Sequence, residues 1–88
     1  MSVWPEVIKE ELSYINEQAL FADGFDEALL GIDMDDYVAV YDSEKCIDIL
    51  MQDTGMTLEE SKEYFEYNTL GAYVGEHTPR FIKVYNRL

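Results

Sequence analysis

The chain has 88 residues, 48% hydrophobic and 14% aromatic, which suits one domain with a real core and argues against disorder. Nineteen Asp and Glu against six Lys and Arg give a net charge of −13. That balance repels nucleic acid and anionic membranes, which select basic residues, so neither is expected as a partner. The partners it suits are cationic.

The charge is uneven along the chain. Residues 1–76 hold all nineteen acids and only Lys9, Lys45 and Lys62, for −16, whereas 77–88 hold Arg80, Lys83 and Arg87 and no acid, for +3. The basic tail is expected to fold back on the acidic body. A lone Cys46 cannot form an internal disulfide. No signal peptide precedes the first helix, and no apolar run reaches membrane-spanning length. A reducing, cytoplasmic setting is the expectation.

In chain order, Ser2 and Pro5 open a helix, because Pro is tolerated in a first turn whose N–H groups are unpaired anyway. Trp4, Ile8, Leu12, Ile15 and Ala19 recur at helical spacing, which predicts an amphipathic helix over about 4–19. Asp23-Gly24 signals a turn. Residues 28–33 and 37–41 read as strands joined by Met34-Asp35-Asp36, a spacing that suits an antiparallel hairpin. Gly31 inside the first strand marks a bulge or a close backbone approach.

Asp42 or Ser43 caps the next helix, whose apolar face is Cys46, Ile47, Leu50 and Met51, and Gly55 stops it. Thr57 and Glu60 form a capping box for a further helix, so the two should make an αα-hairpin. That helix sets Leu58, Ser61, Phe65 and Asn68 on one side and ends at Gly71. Gly75 and Pro79 bound an irregular loop in which the glycines bring Tyr73 and Val74 inward. Residues 80–85 alternate polar and apolar and read as a strand joining the hairpin's edge. The expected class is α+β, as a single domain spanning 1–88.

Few residues point to catalysis. His77, the only histidine, has Glu76 beside it but no Ser or Cys motif aimed at it, and reads as a loop residue. Cys46 lies on an apolar helix face among many carboxylates, which disfavours a thiolate. Asp33, Asp35 and Glu44 match calcium-loop positions, but Val38 stands where the sharp turn needs Gly. No catalytic residue, metal site or cofactor is expected.

The candidate partner-binding residues are acidic and aromatic. Glu59, Glu63 and Glu66 recur as a helical strip, and Asp33, Asp35 and Asp36 form a second group. Carboxylates one helical turn apart are about 6 Å from each other, near the spacing of backbone phosphates, so such rows can imitate nucleic acid for a protein that binds it. Tyr64, Tyr67 and Tyr73 offer an aromatic surface. The expected function is therefore a non-enzymatic binding protein that engages a basic, nucleic-acid-binding host protein. The alternative is a structural or accessory protein that self-associates into a homo-oligomer through the tyrosines.

Gly24-Phe25-Asp26, Gly31, Tyr41-Asp42, Met56, the EYFEYN run of 63–68, the GAYVGE run of 71–76 and Thr78-Pro79-Arg80-Phe81 together resemble small acidic proteins encoded by tailed phages and prophages. The resemblance covers about residues 20–82. It implies a phage origin and carries no activity with it.

Overall fold

The computed structural model describes residues 3–73 and 75–85. The chain folds as α+β, with a three-stranded mixed sheet and three helices among the described residues. Helix α1 spans Trp4–Ile15, a short 3-10 turn spans Asp26–Ala28, and strands β1 and β2 span Leu29–Asp33 and Val38–Asp42. Helix α2 spans Ser43–Thr54 and α3 spans Leu58–Tyr64. A π-helical segment, Phe65–Leu70, continues α3, and strand β3 is Arg80–Ile82.

The hairpin forms where its turn chemistry places it. Asp33 Oδ1 accepts from the Asp35 N–H at 2.8 Å, and Tyr37 takes a left-handed backbone (φ 53) that closes the loop onto the Asp33 carbonyl at 2.7 Å. The register slips between Leu29 and Gly31, so Gly31 does mark a bulge. Strand β3 pairs with β2 in parallel, Tyr41 opposite Phe81, so α2, α3 and the π-helical segment form the crossover that parallel strands require. Strand β2 becomes the centre of the sheet, with Val38, Ala39, Tyr41 and Asp42 all buried. The third strand covers Arg80–Ile82, shorter than the 80–85 expected.

Local caps set the helix ends. The Asp42 carboxylate accepts from the Glu44 and Lys45 N–H groups and starts α2, while Gly55, at φ 75, ends it. The Thr57–Glu60 capping box starts α3. A Cβ at Gly71 would stand 2.9 Å from the Tyr67 carbonyl oxygen, so only glycine fits the end of the π-helical segment.

Two expectations are corrected. Helix α1 ends at Ile15 rather than near 19, because Asn16 leaves the helix and its side-chain oxygen accepts from the Gln18 N–H at 3.2 Å. Its expected apolar stripe is accordingly half used: Leu12 is fully buried and Ile8 packs at the margin, while Trp4 and Ile15 are exposed. In the last helix Ser61 and Phe65 are buried as expected, but Thr69 is buried in place of Asn68. The π-helical turn explains this, because its roughly 4.4 residues per turn put i and i+4 in one column. Ser2, Val74 and Arg87 lie outside the described residues.

The core joins Leu12, Phe25, Leu29, Tyr41, Cys46, Leu50 and Phe65. Tyr41 is fully buried, and its hydroxyl oxygen accepts the Ala22 N–H at 2.9 Å. Its ring stacks on Phe81 at 5.5 Å, and Phe81 in turn meets Phe65 edge-on at 5.3 Å. Burial pushes the Tyr41 phenol from 10.0 up to about 12 and the Cys46 thiol from 9.0 up to about 12.

Both groups therefore stay neutral in the fold after the unfolded chain would ionise them. Their contribution is complete below pH 9 and is lost as the pH rises through about 12. The unfolding free energy from urea titration should fall across that window, by on the order of a few kcal/mol in total. A Cys46→Ala variant should show a shallower decline than the parent chain.

Candidate functional site

Helix α3 and the π-helical segment carry the residues of interest. Glu59, Glu63 and Glu66 are all exposed on them. Glu63 and Glu66 border different depressions. Glu63 borders a shallow depression of ≈ 340 Å³ with Met56, Glu60, Tyr64, Tyr67 and Asn68. Glu66 borders a different groove on the opposite flank, beside Lys62, Phe81 and Lys83. Glu60, read in the sequence only as a capping residue, thus belongs to the site. Its carboxylate accepts the Thr57 N–H at 2.9 Å, and that backbone bond with the Thr57 side chain holds it below the usual carboxylate range. It is a fixed, ionised group on the wall of the depression.

Glu59 and Glu60 sit in the first turn of α3, where the helix dipole favours acids. Glu63 and Glu66 lie further along, where that dipole gives them no support.

A second depression, of ≈ 330 Å³, adjoins the first and shares Tyr64 and Asn68 with it. It brings in Asp23 from the loop after α1 and Asp53 from the end of α2. These two acids are thirty positions apart and carry no local signal of kinship; only the fold unites them.

The tyrosines divide. Tyr67 is 76% exposed and Tyr64 43%. Tyr73 is instead half-buried, its ring 6.2 Å from Phe81 and its hydroxyl 3.5 Å from the Phe21 carbonyl oxygen. It walls the second depression more than it offers a free aromatic surface.

The aspartate group of the hairpin is largely engaged within the chain. Arg80 Nε pairs with Asp33 Oδ2 at 2.7 Å, and its Nη2 pairs with Asp36 Oδ2. Asp35 stays exposed. Lys83 Nζ lies 3.6 Å from Glu44 Oε1, so the basic C-terminal segment does fold back on the acidic body. Lys9 Nζ pairs with Asp26 Oδ1 at 2.7 Å. Among the described residues no cation pairs with Asp23, Asp53, Glu59, Glu60 or Glu63.

His77 works as a loop anchor. Its carbonyl oxygen accepts the Leu20 N–H at 3.0 Å, and its Nδ1 lies 3.5 Å from Asn16 Nδ2, which also donates to the Tyr37 carbonyl at 2.9 Å. Its Nε2 stands 3.8 Å from Glu76 Oε2. Cys46 is fully buried in the core. Among the described residues no three His, Cys, Asp or Glu side chains converge as metal ligands would, and no helix is long and apolar enough to cross a membrane.

Comparison with protein-family models, with curated proteins and with solved structures finds no match. Function therefore has to be read from the surface itself.

The Arg80 bridge is half-exposed on both sides, which limits its worth. Arg80→Gln should cost up to about 1 kcal/mol, measured by urea unfolding, and the difference should shrink as salt is raised.

Proposed function

We propose that this protein is a non-enzymatic acidic binding module that engages a cationic partner protein. Its surface of contact is the outer side of α3, with Glu59, Glu60 and Glu63 beside Tyr64 and Tyr67. One observation carries the reading: among the described residues Glu59, Glu60 and Glu63 stand without an ion-pair partner on the same helical run as the exposed rings of Tyr64 and Tyr67. Of the five described cations, Lys9, Arg80 and Lys83 pair with Asp26, with Asp33 and Asp36, and with Glu44, while Lys45 and Lys62 pair with no acid among the described residues. The acids around α3 receive no such partner among the described residues, and Glu63 gains nothing from the helix dipole.

Uncompensated carboxylates facing water raise self-repulsion and lower stability. A complementary basic surface relieves that repulsion and speeds encounter. The phage origin implied by the sequence resemblance belongs to the same proposal, with a basic, nucleic-acid-binding host protein as the partner. The second reading, self-association, rests on the high exposure of Tyr67. Salt separates the two, because screening strengthens contact between like-charged copies and weakens a charge-driven complex.

The test compares two double variants with equal change of net charge. Glu59→Lys with Glu63→Lys should weaken binding to the basic partner about tenfold or more at low salt. Glu10→Lys with Glu17→Lys, on α1 and just beyond it, should leave most of it. Equal loss in both, or full binding by the first, contradicts the proposal.

A further inference from the structure

The two depressions beside α3 form one trough with a ridge between them, because Tyr64 and Asn68 line both. Tyr64 closes α3 and Asn68 lies four residues on in the π-helical segment, so the two are neighbours on one helical face. On one side of the ridge stand Glu60 and Glu63, with Tyr67. On the other stand Asp23 and Asp53, with Thr54. Each half thus holds two carboxylates and shares the Tyr64 ring, and none of the four acids is ion-paired among the described residues.

This combination selects one kind of cation. A guanidinium is planar, stacks on a phenol face and donates in a fork that matches a carboxylate; an ammonium is a point charge without that fit. The Asn68 amide, exposed on the ridge, both donates and accepts, as the backbone of an extended segment crossing it requires.

We propose that the trough takes an extended, arginine-bearing segment of the cationic partner. One guanidinium lies between Glu60, Glu63 and the Tyr67 ring. A second basic side chain crosses the Asn68 ridge and meets Asp23 and Asp53. This rests on the acidic-binding reading and names the group that reading recognises.

The probes are short Gly/Ser peptides carrying a pair of arginines, a pair of lysines, or one arginine, titrated by calorimetry at low salt. The paired-arginine peptide should bind more tightly than the paired-lysine one. Tyr67 is mostly exposed, so Tyr67→Ala leaves the core intact; it should weaken the arginine peptide about threefold and narrow its advantage over lysine. Asp53→Asn should weaken the paired-arginine peptide and leave the single-arginine peptide unchanged. Glu10→Gln, on α1, should change neither. Equal binding of arginine and lysine peptides with no effect of Tyr67→Ala overturns the trough and leaves the acidic-binding reading standing. So does a Glu10→Gln effect as large as that of Asp53→Asn. Failure of both paired peptides to bind at low salt overturns the trough and the acidic-binding reading together.

Discussion

Tyr41 is the point to which the other elements are referred. It sits in β2, the central strand of the sheet, with no exposed surface. Its hydroxyl oxygen holds the Ala22 N–H, which is buried with it and would otherwise be unpaired. That bond fixes the loop leading from α1 back to the sheet, the loop that also supplies Asp23 to the trough. The Tyr41 ring stacks on Phe81 and so seats β3, while Phe81 supports Phe65 and Tyr73 at either end of the π-helical segment. One side chain thus joins the sheet, the loop and the helical face on which the proposed function rests. It can do so only while neutral, which its burial ensures.

Charge is the opposing constraint. A net charge of −13 on 88 residues strains any compact state. Three of the five described cations tie distant parts of the chain together. Arg80 draws β3 to the hairpin turn, Lys83 reaches the start of α2, and Lys9 joins α1 to the 3-10 turn. Each contact is exposed enough to be worth little alone, and none lies at α3 among the described residues. Part of the acidic surplus that remains stands beside two accessible tyrosines, Tyr64 and Tyr67. Cation recognition follows from that juxtaposition of charge and π-surface.

Much of the fold was legible where the deciding chemistry is local. The Thr57–Glu60 box, the Asp42 cap, the Gly55 stop and the Gly31 bulge each depend on a few adjacent residues, and each appears as read. Where competition or tertiary context decides, the sequence is silent. Asn16 ends α1 early by bonding its own backbone, against an apolar spacing that continues to Ala19. Nothing in the residues 65–70 announces a π-helical turn, so Asn68 reads as inward when Thr69 is. The trough was invisible for a related reason. The fold sets Glu63 and Glu66 beside different depressions, puts Glu60 with Glu63, and brings Asp23 and Asp53, from two other stretches of the chain, to the adjoining one.

The most direct measurement follows backbone and side-chain amide signals by NMR while a paired-arginine peptide is added at low salt. The account predicts shifts confined to Asp23, Gly24, Asp53, Glu60, Glu63, Tyr64, Tyr67, the Asn68 side-chain amide and Ala72, which reverse as salt is raised. Shifts spread evenly over α1 and the hairpin, or centred on the Tyr14 and Trp4 surface, would contradict it.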